Sequence, residues 1–361
     1  MPLAHQLAGQ LLWLIASGKL PAGERLPPVR RLADRLGINL HTVRAAYRKL
    51  EDDGLVVIRR GRGTHVLPFD GRQLAQIAAT LRTDTVGIII PSMANPFYHA
   101  LLQGVEEVAT AAGTLLFVCN THDDPGMAAR YYAQMASKQV DGIIIASHNT
   151  AELVHAPGDE PGGGEPLLPT VTVDWPGCSG PSVLLDLEDA GYQGTRHLLA
   201  HGHRRVGLLT VDTEAANVGL VNMGYRRALG DLRIEADTAL IAAAPGFDMA
   251  SGQASLRQLL GLAQPPTAVF AIADTLALGA LAEIKIAGLR VPGDLALAGF
   301  NDIPTAALVD PPLTSVAAPV REMGAQAMRM LQEQISGRPL AQMHVVLPVA
   351  LMVRASCGPH V

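Results

Sequence analysis

The chain has 361 residues, a net charge of −5 and a mean hydropathy of +0.22, and 48% of its residues are hydrophobic. This length exceeds that of one ordinary domain and predicts two or three separate cores. No window approaches the roughly 18 uninterrupted apolar residues that a membrane-spanning helix requires, which excludes a membrane partner and favours a soluble protein. Cys119, Cys178 and Cys357 lie far apart and form no CxxC pair, so a reducing cytoplasm is expected.

Basic residues are concentrated at the start of the chain. Residues 1–68 hold eleven Lys or Arg and five Asp or Glu, a net charge of +6, whereas the remaining residues carry −11. The arginines crowd between Arg25 and Arg62, and a phosphate backbone attracts such a local cluster. Because a charge cluster alone is more often a solvated face, its meaning depends on the motif that carries it.

Three helices are predicted in this basic segment. Apolar residues at helical spacing from Leu3 to Ile15 predict the first helix, which Gly18 ends. The second follows Pro28 and ends at Gly37, and Asn39 can cap the third. Two helices joined by a short turn that contains glycine are typical of a helix-turn-helix.

A two-stranded wing is predicted after the third helix. The apolar strand Leu55–Ile58 leads into the sequence RRGRG and then THVL, and Gly61 and Gly63 permit a tight reversal. Arginines at the tip of such a wing suit contact with phosphates or with the minor groove. The wing arginines are Arg59, Arg60 and Arg62.

The stretch ERLPPVRRLADRLGINLHTVRAAYRKLEDDGLVVIRRGRGTHV resembles the GntR-type winged helix-turn-helix. The resemblance implies that residues 1–68 form a DNA-binding domain whose partner is double-stranded operator DNA. Leu40 stands where that family commonly has a polar or basic residue, which predicts a shifted base preference. The candidate DNA-binding residues are Arg30, Asn39, His41, Thr42, Arg44, Arg60, Gly61 and Arg62.

A different pattern begins after a predicted linker at residues 69–84. From Thr85 onward, apolar strands alternate with helices, beginning with VGIII at 86–90. Near-continuous runs of Val, Ile and Leu are typical of parallel strands buried on both faces, which predicts a doubly wound α/β fold. Further strands are predicted at 114–120, 141–147, 168–174, 205–211, 267–274 and 295–302.

Residues 85–356 resemble the LacI-type sensor domain, which shares the two-lobed fold of periplasmic sugar-binding proteins. The matching segments are PSMANPFYHALLQGVEEVA, VDGIIIAS, HGHRRVGLLT, PPTAVFAIADTLALGAL, AGLRVPGDLALAGFNDIP, PPLTSV and LMVRAS. The resemblance implies an effector-binding and dimerisation domain at 85–361. Lobe 1 is expected at about 85–187 and 303–320, and lobe 2 at about 188–302 and 321–361. A GntR-type DNA-binding domain followed by a LacI-type sensor domain looks like the arrangement of arabinose-repressor-type regulators.

An effector is expected beyond the carboxyl ends of the strands, where two lobes would close over a cleft. Aromatic faces can stack on sugar or base rings, and carboxylates accept hydrogen bonds from hydroxyl groups. The resemblance implies a sugar or a sugar-like metabolite as the ligand. The candidate effector-binding residues are Phe97, Tyr98, Ser147, His148, Asp174, Trp175, Asn217, Phe247 and Asp274.

Three positions depart from the LacI-type pattern. Val221 stands where many members have an arginine, Ala273 replaces the usual asparagine, and Asn301 replaces the first aspartate of GFDD. These changes argue against an ordinary hexose as the ligand. They leave open a cleft that has lost its effector or that serves a protein partner.

No catalytic, metal or cofactor site is expected. The segment GCSGP at 177–181 lacks the final glycine of a nucleophile elbow, and no GxGxxG or P-loop is present. His197 and His201 could hold a metal, but HGHRRV matches a helix-to-strand junction of the LacI type, which favours a structural role. An aminotransferase-like second module would need a Schiff-base lysine that this pattern does not supply. The sequence therefore predicts a dimeric, ligand-responsive DNA-binding regulator, with a repressor as the first expectation.

Overall fold

The computed structural model describes residues 3–16, 20–59, 61–69, 82–146, 168–178, 180–213 and 215–358. Within these ranges no helix is both long and apolar enough to cross a membrane. The predicted helix end at Gly18, the wing residue Arg60 and the cleft residues Ser147 and His148 lie outside the described residues, as does most of the predicted linker.

The N-terminal part is a helix-turn-helix with a wing and a hydrophobic core of its own. Pro28 precedes the second helix, and Gly37 ends it in the left-handed conformation with φ of 63°. Leu26, Tyr47 and Leu50 are almost fully buried in this core. Its elements are α1 (Leu3–Ala16), α2 (Val29–Leu36), α3 (Leu40–Asp52), β1 (Val56–Arg59) and β2 (Gly63–Val66).

The wing is larger than the predicted two-stranded hairpin. β1 and β2 pair antiparallel, and Arg25 forms a further antiparallel bridge with His65. The backbone N–H of Leu26 donates to Thr64 O at 2.9 Å, and that of Val66 donates to Glu24 O at 2.9 Å. The sequence around Arg25 gives no strand signal, because this pairing depends on a partner about 40 residues away.

The sensor part contains two six-stranded sheets, one in each lobe. In lobe 1 the strand order is β13-β7-β6-β5-β3-β4, and all neighbours are parallel. The lobe 1 elements are β3 (Thr85–Ile90), α4 (Pro96–Ala111), β4 (Leu115–Asn120), α5 (Pro125–Ser137), β5 (Gly142–Ile145), β6 (Thr170–Val173), β7 (Ser182–Leu185), α10 (Val320–Ile335) and β13 (His344–Leu347).

Lobe 2 has the strand order β14-β12-β11-β10-β8-β9, in which only β14 runs antiparallel to its neighbour. Buried apolar strands dominate its centre, as the sequence predicts for β8 and β10. The lobe 2 elements are α6 (Leu187–Ala200), β8 (Val206–Val211), α7 (Ala216–Asp231), β9 (Ile241–Ala244), α8 (Met249–Leu260), β10 (Ala268–Ala271), α9 (Asp274–Ile286), β11 (Ala296–Asn301), β12 (Thr314–Ala317) and β14 (Ala350–Met352).

The predicted division of residues 303–347 between the lobes is wrong. β12 pairs with β11 and so belongs to lobe 2, whereas α10 and β13 belong to lobe 1. The chain therefore crosses between the lobes after β7, after β12 and after β13. Periodicity identifies a strand but not its neighbour, so the sequence alone could not assign these segments.

The expectation that every strand is buried on both faces is also wrong for β4. This strand is one of the two edges of the lobe 1 sheet, and Leu115 and Phe117 are 67% and 50% exposed. The predicted fold class is confirmed: the protein combines an N-terminal winged helix-turn-helix with a two-lobed, largely parallel α/β domain.

Candidate DNA-binding face and interlobe site

The third helix presents a basic face because its apolar stripe is buried. Val43, Ala46, Tyr47 and Leu50 point into the core, which leaves Arg44 exposed on the other side. The other predicted contact residues on α2 and α3 are exposed or half-buried: Arg30, Asn39, His41 and Thr42.

Two hydrogen bonds fix α3 to the rest of the module. The Tyr47 hydroxyl donates to Pro27 O at 2.7 Å, and the backbone N–H of Ile58 donates to Glu51 Oε1 at 2.8 Å. At the start of the helix the Asn39 side-chain oxygen accepts from the backbone N–H of His41 at 2.8 Å, so Asn39 is the predicted cap. The helix is therefore held rigidly against both the preceding segment and the wing.

The wing tip places a further arginine beside the predicted ones. Gly61 and Gly63 have φ of 76° and 92°, which permits the tight turn, and Arg62 is exposed. A Cβ on Gly63 would lie 2.5 Å from Nε of Arg25, so the Arg25 side chain crosses the wing at this glycine. The sequence places Arg25 in the basic cluster but gives no sign that it belongs to the wing, because its pairing with His65 is a long-range contact.

In the sensor part, two of the predicted aromatic residues begin helix α4. The Asn95 side chain caps this helix by accepting from the backbone N–H of Phe97 at 3.0 Å. Phe97 is buried in the core, and its ring meets that of Tyr98 edge-on, with 5.2 Å between the centroids. Tyr98 is half-buried at the carboxyl end of the lobe 1 sheet.

Asp174 joins the two lobes at this end of the sheet. It follows β6 in a left-handed conformation with φ of 55°, and the Asn217 side chain of α7 in lobe 2 lies close enough to its carboxylate to lower its pKa. Burial raises the pKa of Asp174 to about 7, and the nearby Asn217 amide only partly opposes that shift. A non-glycine residue held at positive φ is a strained position of the kind found at binding sites.

The charge around Tyr98 is negative. Burial raises the pKa of the Tyr98 hydroxyl, and the carboxylates of Asp174 and Asp123 raise it further. Asp123 follows β4, also at positive φ, with φ of 60°. Sequence reasoning missed Asp123, although an HDDP turn directly after an apolar strand was a usable signal.

Of the other predicted cleft residues, Trp175 follows Asp174 at the end of β6, and Phe247 lies after β9. Trp175 is half-buried and packs against the main core, and Phe247 is half-buried between β9 and α8. The carbonyl of Phe247 accepts a hydrogen bond from the Thr275 hydroxyl at the start of α9. The structure thus brings Tyr98, Asp174 and Asn217 together and places Phe247 beside α9.

Asp274 does not open to solvent. Its side chain is fully buried, and its two carboxylate oxygens accept from the backbone N–H of Ile303 at 2.9 Å and from the Ser315 hydroxyl at 2.7 Å. Burial raises the pKa of Asp274 to about 7, whereas these hydrogen bonds lower it. Asp274 therefore ties the end of β10 to β11 and β12, which is a positioning role.

The position that often carries an arginine in LacI-type sensors is apolar and inaccessible here. Val221 is 3% exposed, and its carbonyl oxygen would lie 2.0 Å from a Cβ on Gly191 of the facing helix. Among the described residues, no group of three or more His, Cys, Asp or Glu side chains is arranged to hold a metal ion.

Comparisons with known proteins agree with this division of the chain. The gntR family of bacterial regulatory proteins matches residues 3–66, and a periplasmic binding protein-like domain matches residues 195–357. The transcriptional regulator DegA of Bacillus subtilis (strain 168) is 32% identical over 282 residues, which cover 77% of this chain and 82% of DegA.

Two solved structures are similar to the described fold. The transcriptional regulator CelR in complex with cellobiose is 27% identical, with a TM-score of 0.69, and the match covers 92% of this chain and all of that one. A LacI family transcriptional regulator from Enterococcus faecium with bound ribose is 27% identical, with a TM-score of 0.68, over 76% of this chain and 99% of that one.

A winged helix-turn-helix joined to a periplasmic-binding-protein-like domain defines a DNA-binding transcription regulator, and not an enzyme. The similarity to DegA extends over most of both chains. The chain belongs to the LacI family of transcriptional regulators, and its N-terminal domain is of the gntR type.

Proposed function

We propose that this regulator is a cytoplasmic repressor whose operator affinity is set by a sugar or sugar-like metabolite bound between the two sensor lobes. The observation that carries the proposal is the contact of Asp174 of lobe 1 with the Asn217 side chain of lobe 2, beside Tyr98. A polyhydroxyl ligand offers both donors and acceptors, so it can replace this contact with two that draw the lobes together.

The residues proposed to contact the effector are those that lie at the cleft ends of the strands. An aromatic face can cover the apolar side of a sugar ring, and the carboxylate and amide fix its hydroxyl groups. The bound cellobiose and ribose of the two similar structures support a sugar. The proposed contacts are Tyr98, Asp174, Trp175, Asn217 and Phe247, together with Ser147 and His148. The buried Phe97 and Asp274, which the sequence also suggested, are proposed to support these contacts without touching the ligand.

The DNA contacts are proposed to come from α2, α3 and the wing. An exposed arginine on a recognition helix can donate to base edges or phosphates, and wing arginines suit the backbone or the minor groove. The proposed contact residues are Arg30, Asn39, His41, Thr42, Arg44, Arg60, Gly61 and Arg62.

The regulator is proposed to act as a homodimer formed by the sensor domain. β4 exposes Leu115, Phe117 and Val118 on an unpaired parallel edge, which is an aggregation hazard unless another surface covers it. In lobe 2, Met249 and Ile286 are 50% and 70% exposed. A second copy seated on both surfaces would carry a second recognition helix to a pseudo-palindromic operator.

The experiment is a paired selection and ligand screen on the full chain. Operator DNA is selected from random duplexes, and sugars, polyols and nucleosides are screened for a rise in melting temperature, because a ligand that binds only the folded state stabilises it. The active compound should weaken operator binding by a factor between about 5 and 150, the usual range of allosteric coupling.

Two results would contradict parts of the proposal. If no duplex is enriched, the DNA-binding role fails. The second result concerns the melting temperatures of the wild type and of an Asp174→Ala variant. If no compound raises either of them above its value without ligand, the sensor responds to a protein partner or has lost its effector.

A further inference from the structure

The segment that precedes β3 is anchored to lobe 1 from three directions. Arg82 Nη2 donates to the carbonyl oxygen of Ile335, the last residue of α10, at 2.8 Å. The backbone N–H of Thr83 donates to Asp141 Oδ1 at 2.9 Å, and its hydroxyl donates to Gln139 O at 2.9 Å. Residues 82 and 83 are thus fixed at the end of the sheet where the strands begin, opposite the end that faces the cleft.

The bond from Arg82 satisfies a group that a helix leaves open. The last carbonyl oxygens of an α-helix have no intrahelical partner and carry a partial negative charge, so a guanidinium is favourable there. This contact joins residues that are 253 positions apart, at the site where the chain arrives from the DNA-binding domain. Through this hydrogen bond, the C-terminal end of α10 holds the last residues of the linker in place.

The same helix begins at the crossing between the lobes. β12 of lobe 2 ends at Ala317, and α10 starts at Val320 in lobe 1. Sixteen residues of α-helix span about 24 Å, so α10 reaches from the crossing to Arg82.

Helix α4 makes this connection stiff. A Cβ on Gly324 of α10 would lie 2.1 Å from the carbonyl oxygen of Leu101 in α4, so the two helices touch through their backbones. α4 itself carries Tyr98, which lies at the carboxyl end of the lobe 1 sheet, in its first turn. A backbone contact leaves no side chain that could absorb a shift, so α4 and α10 move as one body.

From these contacts we propose that Arg82 is a positioning residue: by fixing the end of the linker to α10, it sets the direction in which the DNA-binding domain leaves lobe 1. In the dimer this direction determines the separation of the two recognition helices. The inference rests on the proposed dimeric DNA-binding function, but it does not require the effector to be known.

The test measures preference for half-site spacing with the full-length protein. The probes are the selected operator, the same operator with two or four base pairs inserted between the half-sites, and a duplex with one half-site. The wild type should prefer the selected spacing at least tenfold. Arg82→Ala should reduce that preference to about threefold or less and leave single half-site binding and the melting temperature unchanged.

Two control variants separate positioning from general charge effects. Arg338→Ala removes an exposed arginine three residues beyond the end of α10, and this variant should keep the wild-type spacing preference. Within the part of the chain that the structure describes, the Arg338 side chain makes no hydrogen bond. Arg82→Lys keeps a cation near the helix end and should recover part of the preference.

The results distinguish this inference from the proposed function. Enrichment of no operator would defeat the proposed function itself. An operator-binding wild type without spacing preference, or an Arg82→Ala variant with the wild-type preference, would overturn the positioning role of Arg82 and leave the regulator assignment intact.

Discussion

The α-carbon of Gly104 lies against the backbone of Arg321, so closely that a Cβ on Gly104 would be 1.8 Å from the Arg321 carbonyl oxygen. The contact is reciprocal, because Gly324 meets the carbonyl of Leu101 three residues before Gly104. The same relation occurs in two other helix pairs of the sensor, α6 with α7 and α8 with α9. Their glycines are Gly191 with Gly224 and Gly252 with Gly279.

Replacing Gly104 by alanine should destabilise the sensor. The added methyl group meets backbone atoms that cannot rotate away, and overpacking of this kind costs about 1–3 kcal/mol or more. Thermal or urea unfolding of Gly104→Ala measures the loss. The matched control is Gly219→Ala in α7, where nothing lies within 4 Å of the new Cβ. That variant should be stabilised by about 0.4–1 kcal/mol, and equal behaviour of the two variants would refute the backbone contact.

Stability of the sensor should fall as the pH rises from about 4 through 7. Asp174 and Asp274 both have pKa values near 7 in the folded protein against an ordinary value of 3.8, and burial is the main cause for each. The folded state therefore keeps protons that the unfolded chain has already released, so the contribution of these groups is fully present below about pH 4 and lost through pH 7.

The pH dependence can be assigned by substitution. Asp174→Asn should flatten the decline in melting temperature between pH 5 and 8, because it removes one of the two shifted groups. Asp294→Asn is the control: hydrogen bonds from Arg290 lower the pKa of Asp294 to about 2, so its charge is constant across this range. A slope that is unchanged in Asp174→Asn would contradict the assignment.

Arg44→Ala should weaken operator binding by about 1–3 kcal/mol and reduce the slope of log affinity against log salt by about 1. The reason is that Arg44 is exposed on α3, outside the buried stripe. Fluorescence anisotropy at several salt concentrations measures both quantities. Arg233→Ala, which removes an exposed arginine of lobe 2, should leave both at the wild-type values.

Phe117→Asp should convert the dimer to a monomer. Phe117 is 50% exposed on the edge strand β4, and a carboxylate buried there without a partner would oppose association. Analytical ultracentrifugation reports the change, and the operator affinity should fall with it. Leu308→Asp alters a leucine that is 81% exposed in lobe 2 and should remain dimeric. A dimeric Phe117→Asp variant would show that β4 is not the interface.

Local patterns in the sequence determined the elements and the family. The Asn39 cap and the Gly37 helix end depend on a few neighbouring residues, and the apolar run at Thr85–Ile90 identifies a strand by itself. The motifs that resemble GntR-type and LacI-type proteins also lie in continuous segments. Such features need no knowledge of a distant partner, which is why they could be predicted.

Only the tertiary structure decided how those elements meet. The assignment of α10 and β13 to lobe 1, the exposure of β4 at a sheet edge and the bridge from Arg25 to His65 all depend on partners that are far away in the sequence. The complete burial of Asp274 follows from Ser315, 41 residues further along. Charge, hydropathy and spacing define what a segment can form, whereas its neighbour is chosen by the packing of the whole chain.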